Sequence, residues 1–136
     1  MIEPPQMTGL DTNILVRYFT MDDPVQSGRA EALLDAFTVE SPGYVSQVSL
    51  IELVWVLRSQ YRMAKPELIL CINRLLDTPE LTVESHAAVT QALRRFAGAK
   101  ADFADCLIEC SCHAGGCHET VTFDANASRH AGMKLL

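Results

Sequence analysis

A chain of 136 residues with 49% hydrophobic and 21% charged residues has the material for one folded core and excludes a disordered segment. A net charge of −6 excludes a module that grips nucleic acid through a broad basic face, but not one that meets phosphate through a bound cation. No apolar run approaches the roughly 20 residues of a membrane helix, and Met1-Ile2-Glu3-Pro4-Pro5-Gln6 carries neither a basic cluster nor an apolar signal segment. A cytoplasmic protein with no membrane partner is therefore expected. Residues 1–136 read as a single domain, with 1–6 a loose tail and Met7 an alternative start.

In chain order, Thr8-Gly9-Leu10 predicts a short buried strand ending near Asp11, followed by a helical turn through Ile14-Leu15-Val16-Arg17. Asp22-Asp23-Pro24 is a helix start, an Asp cap with Pro at the first helical position. That helix is expected to run to about Phe37, with Ala30, Leu33, Leu34 and Phe37 on one face. Tyr44-Val45-Ser46 predicts a second strand. From Val48 to Tyr61 the sequence is apolar almost all round, which predicts a largely buried helix with Glu52 as its one carboxylate. Lys65-Pro66-Glu67 opens another helix, whose apolar side is Leu68, Ile69, Ile72, Leu75 and Leu76. Leu81-Thr82-Val83 predicts a third strand. Ser85 is placed to cap the next helix and Gly98 to end it. Asp102 is placed to cap the helix after that, with Asp105 in its first turn and Gly115-Gly116 closing it. Thr120-Val121-Thr122-Phe123 predicts a fourth strand ending at Asp124, and Met133-Lys134-Leu135-Leu136 a last one. Strands alternating with helices imply a central parallel sheet of four to five strands flanked by helices on both faces.

Ligands of an open α/β sheet sit beyond the carboxyl ends of its strands. Asp11, Glu52, Asp105 and Asp124 are all expected at that edge. Each has a structural explanation: Asp11 as a cap, Asp105 as a complement to a helix dipole, Asp124 as a turn residue. Glu52 has the weakest one, since an unpaired carboxylate buried in an apolar helix is costly. Carboxylates crowded together raise one another's pKa, and a divalent cation offsets the repulsion. Mg²⁺ and Mn²⁺ prefer oxygen ligands, and a metal-activated water suits phosphodiester hydrolysis. Asp102 reads as a cap more readily than as a ligand.

The stretch from Met7 through Asp11-Thr12-Asn13 to Arg17 resembles the opening of PIN-domain proteins, in particular VapC-type toxins. Val48-Ser49-Leu50-Ile51-Glu52-Leu53 resembles the family's second acidic motif, Ala101-Asp102-Phe103-Ala104-Asp105-Cys106-Leu107-Ile108 the third, and Thr120-Val121-Thr122-Phe123-Asp124 the fourth. The resemblance spans nearly the whole chain, in order. It implies a PIN fold and a Mg²⁺- or Mn²⁺-dependent endoribonuclease, the toxin of a toxin–antitoxin pair. Carried over by position, Asp11, Glu52, Asp105 and Asp124 would be the metal-binding, catalytic acids. Thr12 would support them by a hydroxyl hydrogen bond, Asn13 by holding backbone and acids in place, and Asp102 as an auxiliary acid or cap. The implied partners are an RNA substrate, a cognate antitoxin and a second copy of the chain. Asn126 departs from relatives that carry a charged residue just after the final Asp.

Other readings are open. Cys106, Cys110, Cys112, His113, Cys117 and His118 supply enough soft ligands for structural zinc, but no Cys-x-x-Cys pair, and small apolar thiols are the commoner explanation. Four of the five cysteines lie between 106 and 117, and reduced thiols are expected. A haloacid-dehalogenase-type phosphatase needs an Asp where Asn13 stands, and a receiver needs a paired acid motif and a late Lys that are missing. A PIN-like domain that only binds is a further alternative. RNA contacts would fall to Arg17, Arg58, Arg62, Arg94, Arg95, Lys100 and Arg129, with Arg17 first. A dimer surface is expected near Leu33 and Leu57.

Overall fold

A computed structural model of the chain describes residues 4–136. The expected tail lies partly outside the described residues. Its residues 4–6 are exposed, and the Gln6 amide donates to Ser41 Oγ at 3.2 Å. The chain falls into two compact units, Met1–Glu84 and Ser85–Leu136.

The first unit holds β1 (Thr8–Gly9), α1 (Thr12–Phe19), α2 (Pro24–Asp35), β2 (Gly43–Val45), α3 (Gln47–Ser59), α4 (Lys65–Asp77) and β3 (Leu81–Val83). Its sheet is parallel, in the order β1-β2-β3, with Thr8 opposite Gly43, Gly43 opposite Leu81 and Val45 opposite Val83. Caps set the helix starts, Asp23 as the sequence implied and Ser46 in place of the expected last strand residue. Asp23 Oδ1 accepts from the Gln26 amide at 3.1 Å with Pro24 at the first position, and Ser46 Oγ accepts from the Ser49 amide at 3.1 Å. The core is aliphatic: Leu15 and Val16 from α1, Leu50, Leu53 and Leu57 from α3, Leu68, Ile72 and Leu75 from α4, and Val45 and Val83 from the sheet.

Two expectations change here. The α3 stretch is not buried all round. Leu50, Leu53, Val54 and Leu57 form its buried stripe, whereas Val48 (75% exposed), Glu52 and Trp55 (62%) form an exposed one at spacings of four and three. Glu52 therefore carries no burial cost. Leu57 is in the core and is no part of a dimer surface, while Leu33 is half-buried.

The second unit holds α5 (His86–Gly98), α6 (Phe103–Ala114), β4 (Val121–Thr122), α7 (Ala125–His130) and β5 (Lys134–Leu135). Helices α5 and α6 pack on each other, with Phe96 and Phe103 edge-to-face at 5.7 Å and Val89, Leu93, Cys106, Leu107 and Cys110 buried around them. Arg95 ties the unit together. One terminal nitrogen donates to Glu109 Oε2 and to the Ala131 carbonyl, both at 2.7 Å. Ser85 is not the expected cap. Its backbone is left-handed (φ 52°, ψ 50°), where the extended geometry of a capping side chain is lost, and its hydroxyl makes no cap bond.

The five expected strands form, but not as one central sheet. Among the described residues, β1-β2-β3 make one parallel sheet and β4-β5 a separate two-stranded parallel one. The strands are two or three residues long because helix caps follow them closely. Asp11 starts α1 two residues after β1, and Asp124 starts α7 two residues after β4. Helix α7 was not expected; six residues are too few to show a helical period.

Gly43 sits where β2 passes closest to its neighbours. A Cβ there would lie 2.5 Å from the Phe37 ring and 2.9 Å from Leu81, while one at Gly9 would meet nothing within 4 Å. Gly43→Ala is expected to lower unfolding free energy by about 1–3 kcal/mol through overpacking, and Gly9→Ala to change it by less than about 0.5 kcal/mol, as measured by urea denaturation.

Candidate active site

Asp11 leaves the carboxyl end of β1 with an extended backbone and caps α1. Its Oδ1 accepts from the Thr12 amide at 2.8 Å, and the side chain is exposed. The Thr12 backbone amide thus supports Asp11, and the Thr12 side chain is buried. Asn13 is exposed and faces a cavity of about 380 Å³ shared with Arg17, Gln26, Arg29 and Leu33. Arg17, the favoured RNA contact, is committed within this unit. It donates to Gln26 Oε1 at 2.8 Å, to Asp22 Oδ1 at 3.0 Å and to the Tyr61 hydroxyl at 3.1 Å. The Tyr61 hydroxyl also donates to Asp22, which holds the Asp22 carboxyl below the usual aspartate value.

Glu52 comes to the same end of this unit through α3. Ser49 Oγ donates to the Leu10 carbonyl at 3.4 Å, immediately before Asp11. Glu52 is three residues on from Ser49, the spacing of neighbours on a helix surface. Parallel β1 and β2 put the starts of α1 and α3 at one edge. Sequence reasoning missed Glu84. It follows β3, and its Oε1 accepts from the Gln47 amide at 2.8 Å, anchoring the first turn of the helix that carries Glu52. The available signal was an acid directly after the Leu81-Thr82-Val83 strand.

In the second unit, Asp102 caps α6 by accepting from the Ala104 amide at 3.0 Å, as expected. Asp105 lies in the first turn, half-buried. Asp124 caps α7, its Oδ1 accepting from the Asn126 and Ala127 amides at 2.8 and 3.1 Å. Asn126 Nδ2 donates to the Lys100 carbonyl at 3.2 Å, which ties the first turn of α7 to the segment leading into α6. A carboxylate at 126 has no hydrogen to give that carbonyl, so the departure at Asn126 has a structural use. Burial pushes the Asp105 carboxyl above the usual aspartate value, and the charges of Asp102 and Asp124 push the same way. Among the described residues none of these three acids forms an ion pair.

Asp11 and Glu52 belong to the first unit, and Asp102, Asp105 and Asp124 to the second. Among the described residues no group of three or more His, Cys, Asp or Glu side chains is disposed to hold a metal ion. This bears on the thiol cluster, since tetrahedral zinc needs four ligands, or three and a water. Cys106 and Cys110 are core residues instead, and burial pushes the Cys106 thiol up to about 11. The acids are hard donors, unlike the thiols. Their donors are all carboxylate oxygens, and Mg²⁺ takes only one or two carboxylates, completing its shell with water and phosphate oxygens.

The PIN-domain family model matches residues 10–133, across both units, and the chain belongs to the PIN-domain family. PIN domains are generally nucleases and typically use divalent metals such as Mg²⁺. No curated protein matches the chain. Among the described residues no helix is long and apolar enough to cross a membrane.

The raised pKa of Asp105 has a stability consequence. Above its unfolded value, near 3.8, the ionised group destabilises the fold; below it both states are protonated and the penalty vanishes. Asp105→Asn is expected to melt at or above the parent temperature at pH 7 without metal, with the difference closing towards pH 3. Calorimetry across that range checks it, and a lower melting temperature for the variant at pH 7 contradicts the electrostatic account.

Proposed function

We propose that this PIN-domain protein is a Mg²⁺- or Mn²⁺-dependent endoribonuclease acting as the toxin of a VapBC-type toxin–antitoxin pair. The observation that carries the reading is Asp105, pressed by burial and by the Asp102 and Asp124 charges in a chain of this family. Such a group gains from a cation and has none among the ion pairs of its unit. Asp11, Glu52, Asp105 and Asp124 are the proposed ligands. A bound divalent ion would supply a water of lowered pKa and offset charge on the phosphate.

The chain's own part is to present oxygens in fixed positions. Asp11 and Asp124 each hold one carboxylate oxygen on backbone amides, which orients the other. Ser49 and Glu84 set the helix that carries Glu52, and Asn126 sets the turn that carries Asp124. Asp102 positions Asp105 by capping its helix. The reading includes a cytoplasmic homodimer silenced by a cognate antitoxin. Exposed Trp55 and Phe123, 62% and 83% accessible, are the kind of apolar surface that partners cover.

Purified protein is expected to cleave structured RNA with Mg²⁺ or Mn²⁺ and to stop on addition of EDTA. Asp11→Asn and Asp105→Asn should each reduce cleavage at least about 100-fold with the circular dichroism spectrum intact. Asn variants that cut as well as the parent would contradict the site; a well-folded parent that cuts no RNA with either metal would support a binding-only PIN domain.

A further inference from the structure

The end of α6 is built as a six-residue motif with a cysteine at each end. The Cys117 amide donates to the Cys112 carbonyl at 3.0 Å, and the Gly116 amide to the His113 carbonyl at 3.0 Å. Gly116 has φ +100°, a left-handed conformation that glycine adopts freely. These paired bonds and the left-handed residue define a Schellman cap, with Cys112 in the last helical turn and Cys117 just beyond it. That motif habitually brings the side chains of those two positions into contact. The Cys117-to-Cys112 bond brings the two backbones together at 3.0 Å between N and O, and a disulfide needs Cα atoms about 4.4–6.8 Å apart.

We propose that Cys112 and Cys117 are a reversible dithiol–disulfide pair, a redox modification site at the end of α6. Accessibility divides the five cysteines as this requires. Cys117 is exposed and Cys112 half-buried, whereas Cys106 and Cys110 are enclosed in the helix pair. Burial pushes the Cys110 thiol above its usual value, which leaves it a poor nucleophile. Cys71 belongs to the other unit, where its thiol contacts Met63 Sδ at 3.8 Å.

The oxidant is a small-molecule disulfide. The Cys117 thiolate attacks one of its sulfurs and releases one thiol, leaving a mixed disulfide on Cys117. The Cys112 thiolate then attacks Cys117 Sγ and displaces the second thiol. The protein loses two protons and two electrons, and the small disulfide takes them up as two thiols. The closed ring staples the last turn of α6 to the segment that leads into β4. The proposal does not depend on ribonuclease activity.

The test uses the full chain, kept native and incubated with oxidised glutathione, then blocked with iodoacetamide and mapped by tandem mass spectrometry. The expected product has lost two hydrogens, with Cys112 and Cys117 joined and Cys106 and Cys110 unmodified. Cys112→Ser, which lacks the resolving thiol, is expected to trap glutathione on Cys117. A glutathione adduct that persists on Cys117 in the parent overturns the proposal. So does full alkylation of both residues at saturating oxidised glutathione, or a bridge from Cys117 to Cys110. The parent alone gives these outcomes, so a poorly folding variant does not block the test.

Discussion

The ionised form of Asp105 is opposed from three directions at once: by burial, by Asp102 and by Asp124. A nearby cation would relieve a carboxylate held in this way. Much of the second unit's local structure maintains that crowding. Asp102 stays close because it caps α6, Asp124 because it caps α7, and the two caps are linked through the bond from Asn126 to the Lys100 carbonyl. The acids are at once the devices that start the helices and the charges that repel each other. A divalent cation would turn that repulsion into binding energy.

The first unit uses the same economy of parts. Asp11 starts α1, Ser46 starts α3, and Glu84 reaches from the end of β3 to the first amide of α3. One oxygen of a capping carboxylate is held by backbone amides while the other is left to face outward. That explains how an aspartate serves as an ordinary cap and as a candidate ligand without contradiction. It also explains the short strands, since each cap stops its strand as it begins its helix.

Much of this was legible in the sequence, because caps and periodicity act locally. Asp23-Pro24 and Asp102 stand where their helices begin, and Leu68, Ile72 and Leu75 are the buried side of α4. Asp11, Glu52, Asp105 and Asp124 lie within the matched family region, Asp11 one residue after its start. What was not legible depends on tertiary placement. An apolar run does not say which of its residues face solvent, so Val48 and Trp55 were expected in the core. Strand signals do not say which strands share a sheet, so one sheet was expected where two occur. Arg17 was read as a groove-side cation, but it is held by Asp22, five residues on, and by Tyr61, 44 residues away. Glu84 was passed over, its bond to Gln47 bridging 37 residues.

Mn²⁺ titration followed by electron paramagnetic resonance tests the proposed metal-binding role of these acids without reference to any RNA. The account predicts that the parent binds Mn²⁺ and that Asp11→Asn and Asp105→Asn each weaken binding at least about tenfold. Binding unchanged in both variants would contradict it.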